Sequence, residues 1–149
     1  MEQRSIKFKK LNKCAELPYR GSDFAAGYDL QAALCDDYVT INPDETVKIG
    51  TGIAAEIPEG YFGAIFARSG LATKQGLRPS NCVGVVDSDY RGEIIVALHN
   101  DSDKERYISN GDRIAQLIVM PFLQFNPVWS DELSDTDRGS GGFGSTGVS

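Results

Sequence analysis

The chain has 149 residues, 41% of them hydrophobic, and its 15 Lys and Arg against 21 Asp and Glu give a formal net charge of −6. That length suits one globular domain able to bury roughly 68–70% of the surface its unfolded form exposes, which excludes a disordered or fibrous chain. A pI near 4.7 argues against nucleic-acid polymers and anionic membranes as partners, since both are bound through basic surfaces.

The first predicted strand lies at residues 6–8, where apolar Ile6 and Phe8 alternate with lysines. The N-terminal stretch is basic but lacks the apolar run of a signal peptide, so a cytoplasmic setting is expected. Between 46 and 58 the odd positions Val47, Ile49, Ile53, Ala55 and Ile57 are apolar, whereas Lys48, Gly50, Gly52 and Glu56 are not. That period of two predicts a half-buried strand, or two strands with a bend near Gly50 and Gly52. Apolar runs at 61–67, 93–99 and 114–120 are bounded by turn residues, as buried strands are. The single helical piece is predicted at 71–75, with Ser69 as its N-cap and Gly76 as its C-cap. Turn signals recur at 42–44, 58–60, 100–103 and 110–111, and Asn110-Gly111 favours a type I′ hairpin. Many short strands with one helical turn predict an all-β sandwich or barrel. No apolar run is long enough to span a bilayer as a helix.

The residue inventory narrows the chemistry. His99 is the only histidine, so any Ser-His-Asp or Cys-His triad must use it and a His-rich zinc site is excluded. Cys14, Cys35 and Cys82 form no C-x-x-C pair, which removes zinc ribbons and thioredoxin-type motifs. Beside the run Val83 to Val86, Cys82 reads as a buried structural thiol, and free thiols fit a reducing compartment.

Three segments carry polar residues that a β-protein does not require. Arg68-Ser69-Gly70 precedes the helix, where unpaired N–H groups and a planar guanidinium suit a phosphate; a helix cap with an exposed arginine is the plainer reading. Residues 84–92, Gly-Val-Val-Asp-Ser-Asp-Tyr-Arg-Gly, read as a hairpin with an acidic turn. Alternatively, Asp87 stands at a rigid strand end, and an aspartate's ordinary pKa of about 3.9 makes it an acceptor able to orient water at neutral pH. Tyr90 offers a flat face to a sugar or base. Residues 138–147 hold five glycines in ten residues, as a flexible linker would. Yet a linker has no use for Phe143, and Arg138, Ser145 and Thr146 are phosphate donors among mobile amides.

Taken together, Ala-Gly-Tyr-Asp-Leu at 26–30, Arg-Ser-Gly at 68–70, the segment 84–93, Gly-Asp-Arg-Ile-Ala-Gln-Leu at 111–117 and the glycine-rich segment at 138–147 occur in that order. This ordered set resembles the five motifs of the trimeric deoxyuridine triphosphatase (dUTPase) family, over nearly the whole chain. The resemblance implies a jelly-roll-like β-barrel domain at 1–134 and a swapped, glycine-rich lid at 135–149. It implies Mg²⁺-dependent hydrolysis of dUTP to dUMP and pyrophosphate by water attack on the α-phosphorus, which limits uracil entry into DNA and supplies dUMP for dTMP synthesis.

Residue by residue, the resemblance makes Asp87 the carboxylate that holds the attacking water. Asn81, Gly84, Val85 and Val86 correspond to the uracil pocket, and Tyr90 to the ring that packs under deoxyribose and excludes a 2′-hydroxyl. Arg68, Ser69, Gly70 and Gln116 match phosphate ligands. Phe143 would stack on uracil while Arg138, Gly144, Ser145 and Thr146 close over the phosphates. Mg²⁺ would ride on the phosphates without direct protein ligands, with Asp29 at an acidic position near it, acting through a water or as structural support. A homotrimer with shared active sites is implied, with no nucleic-acid or membrane partner. Phe66 and Ala67 depart from the usual residues beside the phosphate loop and bear only on its packing. The related dCTP deaminases share the fold but are disfavoured by Asp87, Tyr90 and the complete Phe143 segment. A catalytically dead binding module is disfavoured because every catalytic position is filled. Residues 11–23 and 122–134 carry no readable chemistry.

Overall fold

In the computed structural model, residues 5–35 and 38–142 are described. Their strands are β1 (Lys7–Lys10), β2 (Tyr28–Gln31), β3 (Tyr38–Ile41), β4 (Thr46–Gly50), β5 (Ile53–Glu56) and β6 (Tyr61–Phe66). A helix, α1 (Ser69–Gln75), is followed by β7 (Leu77–Pro79), β8 (Gly84–Val86), β9 (Ile95–Asn100), β10 (Arg106–Ser109) and β11 (Arg113–Pro121). All pairings between them are antiparallel. A four-stranded sheet runs β2-β11-β6-β8, a three-stranded sheet β4-β9-β7, and β1-β5 and β10-β3 form two-stranded pairs. This is the all-β, jelly-roll-like architecture that the sequence predicts, with short strands divided among several small sheets.

The core forms because each sheet turns one apolar row inward. Leu30 from β2, Ile41 from β3, Ile49 from β4, Leu98 from β9, Ile108 from β10 and Leu117 from β11 are all fully buried. At 46–56 the chain makes two strands, with Gly52 at φ +66° in the bend. Alternation holds along β4 but not along β5, whose Ile53, Ala54 and Ala55 are all buried, as expected for a strand covered on both faces.

Four local expectations are corrected. The helix begins at Ser69, so Arg68 is the N-cap, in extended conformation and without a side-chain capping bond; its guanidinium is drawn to Asp29 instead. Gly76 does close the helix, in the left-handed region and donating to Ala72 and Leu71 carbonyls. Asn110-Gly111 is no type I′ hairpin: Asn110 keeps a negative φ, and β10 pairs with β3 while β11 pairs with β2 and β6. The segment 84–92 is no hairpin either, because β8 lies against β6 and β9 against β4 and β7, in different sheets. Cys82 is exposed at φ +61°, in the turn between β7 and β8. Its flanking run is buried only at Val86, since β8 is a three-residue edge strand with Val85 outward and Val83 exposed. Cys14 and Cys35, from loops far apart in sequence, place their sulfurs 3.3 Å from each other. Among the described residues no helix is long and apolar enough to cross a membrane.

Candidate functional site

β6 organises the site, because the candidate segments lie at its two ends and on its two flanks. On one flank, Val86 pairs with Gly63 and Gly84 with Ile65. Gly63 has to be small: a Cβ there would meet Ile57 and Leu117 side-chain carbons at 2.8 Å. β8 therefore carries the chain to Asp87 beside the start of β6, and a tight turn with Tyr90 N–H donating to the Asp87 carbonyl (3.2 Å) follows. Asn81, Gly84, Val85, Val86, Asp87 and Tyr90 line one cavity of about 310 Å³, walled further by β9. Six of the residues expected in one pocket thus share one. The Tyr90 hydroxyl donates to the Glu93 carbonyl at 2.9 Å. Gly92 is required beneath the ring, since a Cβ there would lie 2.4 Å from the Tyr90 oxygen.

The opposite end of β6 leads into Arg68. Here β11 sits between β2 and β6, with Gln116 opposite Asp29 on one side and Phe66 on the other. That register gathers three motifs distant in sequence. Arg68 Nε donates to Asp29 Oδ1 at 2.9 Å, and Arg113 Nη1 donates to Asp29 Oδ2 at 3.2 Å. Gln116 Nε2 donates to the Ala67 carbonyl at 2.9 Å, holding the backbone before Arg68. Gly27 makes room for that amide, because a Cβ would stand 2.6 Å from Gln116 Oε1. The Asp29 side chain is only 14% exposed, and Arg68 and Arg113 balance its charge with one net positive charge left over. Arg113 is pushed above the usual guanidinium range, first by the facing Tyr19 phenol and then by Asp29. Arg68, Gly70, Lys74 and Arg113 line a second cavity of about 370 Å³.

The two ends differ in sign and do not meet. The outer side of Asp87 opens on a cavity with Glu56, Glu59 and Asp89 on its walls, whereas the Arg68 end is basic. The two cavities that hold Asp87 share no residue with the one that holds Arg68. At about 3.3 Å per strand residue, roughly 20 Å of extended backbone separates Phe62, beside Asp87, from Arg68. One chain therefore keeps the two halves of the predicted site apart.

Ser69 lies in the first turn of α1. Arg138 is described and bonds the Gly141 carbonyl through Nε at 2.7 Å; Phe143, Gly144, Ser145 and Thr146 lie outside the described residues. Two residues at the site carried no assigned role in the sequence, Arg113 and Glu93. Arg113 had a signal, a charge opening an otherwise apolar strand, but its partner is 84 residues away.

After Pro121 the described chain leaves the sheets. Leu123, Phe125, Val128, Trp129 and Leu133 are 79–103% exposed, which no side chain of that size gains from in water.

A family profile described as dUTPase matches residues 13–147. Relatives named deoxyuridine 5'-triphosphate nucleotidohydrolase include one from Desulfitobacterium hafniense, 50% identical over 145 residues, covering 97% of this chain and 95% of the relative. Another, from Hydrogenobaculum sp., is 51% identical over 140 residues, covering 94% and 96%. Among solved structures, a mutant dUTPase of Staphylococcus bacteriophage 80alpha with dUpNHpp superposes with a TM-score of 0.89 at 30% identity. That match covers 98% of this chain and all of the phage chain. With its fold, motif order and sequence in agreement, the chain belongs to the dUTPase family.

Proposed function

We propose that the protein hydrolyses dUTP to dUMP and pyrophosphate, with water attacking the α-phosphorus. The observation that carries this reading is the cavity bounded by Asn81, Gly84, Val85, Val86 and Tyr90 with Asp87 at its rim. A base entering it meets backbone polar groups of a strand edge and the Asn81 amide, a donor and acceptor set able to read uracil. Tyr90, held through its hydroxyl, leaves no room for a 2′-hydroxyl under the sugar. Asp87 accepts a proton from a water and orients it; rigid attachment at the end of β8 makes that orientation reproducible.

The triphosphate requires cations, and the Arg68 end supplies them. Arg68, Ser69, Gly70 and Gln116 are the phosphate ligands, with Asp29 fixing the guanidinium. Because that end lies away from Asp87 within one chain, a complete site needs the Arg68 end of a second copy beside the Asp87 end of the first. A homotrimer meets this requirement, and the exposed apolar side chains at 123–133 supply surface for it. Residues 135–149 form the lid, with Phe143 stacking on uracil and Arg138, Gly144, Ser145 and Thr146 closing on the phosphates; residues 1–134 are the barrel domain. Closure excludes bulk water.

Magnesium fits this site as an ion carried by the substrate. Both Asp29 oxygens are engaged by guanidinium groups, and the described residues contain no cluster of three or more His, Cys, Asp or Glu that could hold a metal. Phosphate oxygens and water suit an ion that keeps several of its waters, with Asp29 acting through one of them. When bound, the ion neutralises phosphate charge in the transition state. A phage phi11 dUTPase described with a structural Mg(II) ion supports magnesium use in the family. The three free thiols support a reducing compartment such as the cytoplasm.

The test is to incubate the protein with dUTP, dTTP, dCTP or UTP and Mg²⁺, measuring pyrophosphate. Release from dUTP alone is expected. Equal release from all four overturns the pocket assignment, and ammonia release from dCTP would identify a deaminase instead.

A further inference from the structure

We infer that Glu93 is a positioning residue that holds the ring of Tyr90 in place, and that discrimination between deoxyribose and ribose depends on it. The inference rests on the reading of Tyr90 as the ring beneath the sugar. Glu93 reaches across 41 residues of sequence: its Oε1 accepts the Gly52 N–H at 2.8 Å, in the bend between β4 and β5. The carbonyl of the same residue accepts the Tyr90 hydroxyl at 2.9 Å. The peptide group that carries this carbonyl is itself held to the same bend through Ile94 N–H, and so is the peptide group after it. Ile94 N–H donates to Ile53 (2.9 Å), and the Ile94 carbonyl accepts from Thr51 N–H (3.2 Å) and from Thr51 Oγ1 (2.6 Å). On the other side of Glu93 stands Gly92, which gives the backbone no steric restraint. The Ile94 N–H bond holds the carbonyl from one side, and the carboxylate is the second hold, on the Gly92 side that the backbone leaves loose.

Two glycines are shaped around this anchor. Gly52 supplies its N–H from the left-handed region, at φ +66°, and a Cβ there would crowd Ala15 and Asn12 at 2.7–2.8 Å. A Cβ on Gly50 would stand 2.5 Å from Glu93 Oε1, and the three closest atoms it would meet all belong to that side chain. Gly50 lies in a strand with ordinary φ, so alanine there has no backbone strain and acts only by displacing the carboxylate. This provides a second, independent way to break the contact.

The experiment compares kcat/KM for dUTP and UTP in the full-length protein and in Glu93→Ala, Glu93→Gln, Gly50→Ala and Tyr90→Ala. In parallel, the ¹⁹F resonance of Tyr90 is followed in fluorotyrosine-labelled protein, assigned by Tyr90→Phe. Glu93→Ala and Gly50→Ala should each lower the dUTP:UTP ratio about tenfold, a modest part of what a hydroxyl-rejecting pocket can deliver. Both should shift or broaden the Tyr90 resonance. Glu93→Gln keeps an acceptor for Gly52 N–H and should retain the ratio and the resonance. Adding Gly50→Ala to Glu93→Ala should cost nothing more, because the group it displaces is gone. The proposal is overturned if Glu93→Ala leaves the Tyr90 resonance unmoved, or if it slows both substrates alike while Tyr90→Ala collapses the ratio. If Tyr90→Ala itself leaves the ratio unchanged while Glu93→Ala moves the resonance, the hold on Tyr90 stands and the reading of Tyr90 as the sugar gate fails.

Discussion

β11 and the twelve residues that follow Pro121 are neighbours in sequence and opposites in physics. β11 lies inside a sheet, paired on both sides over part of its length, with Ile114, Ala115 and Leu117 buried. Residues 122–133 pair with no strand, yet their apolar side chains are as large as those of the core. Burying one such side chain is worth about 1.5–3 kcal/mol, a gain that five exposed side chains in this segment leave unrealised within one chain. The body itself keeps Asp87 and Arg68 apart, in cavities that share no residue, so the proposed site is divided within one chain. The proposed homotrimer would answer both, covering the extended segment and completing the divided site.

The largest effect is expected from the body. Asp87→Asn should lower kcat by about 10²–10⁴-fold while nucleotide affinity and melting temperature hold, because Asp87 is an exposed residue at a strand end. Single-turnover kinetics beside a binding isotherm check this, and near-normal turnover would remove Asp87 from its role. Next comes deletion of 138–149, which should lower kcat/KM for dUTP by about 10²-fold, the order expected when a closing lid is lost. Melting temperature should be unaffected, since 138–140 and 142 are exposed and the side chain of Arg138 bonds within the segment. Unchanged kinetics would make this segment a linker.

Replacing Phe125 and Trp129 together by serine tests the outer segment directly. If a second copy covers them, the substitution should shift sedimentation from trimer toward monomer and lower activity at low protein concentration. Raising the concentration should restore it. A wild-type chain that sediments as a monomer would sharpen the contrast the other way, leaving the apolar side chains without a function in assembly.

How much of this was legible in the sequence depended on how far apart the interacting residues are. β6, β9 and β11 were visible as apolar runs bounded by turn residues, although β9 in fact alternates between buried and more exposed positions, and the Gly50–Gly52 bend because period two breaks there. β2, β3, β7 and β10 were not, being three or four residues long with mixed burial. The Asn-Gly signal misled because a turn residue states where the chain reverses, not which strands then pair. Cys82 misled because adjacency to valines does not say that an edge strand buries them. Asp87, Tyr90 and Arg68 stand out in the sequence through motif order. Arg113 and Glu93 do not, because the residues they bond lie 84 and 41 positions away.

The smallest effect, and the most local, concerns Asp29. Its carboxylate accepts from two guanidinium groups while the side chain is mostly buried. Asn at this position keeps one acceptor oxygen but turns an amide donor toward the second guanidinium, so one bond is lost and a repulsive pair of donors replaces it. Losing a charge-assisted bond costs about 1.5–3 kcal/mol where it is buried, and the partial exposure of Arg113 reduces that, so a stability loss of about 1–2 kcal/mol is expected. For a chain of this size this lowers the melting temperature by about 2–8 °C. The kinetic consequence separates the two ends of β6: with Arg68 less firmly held, KM for dUTP should rise. The dUTP:UTP ratio should not move, because the proposed sugar recognition lies at the Tyr90 end. A change in that ratio would show that the two ends are coupled through β6 and not only by assembly.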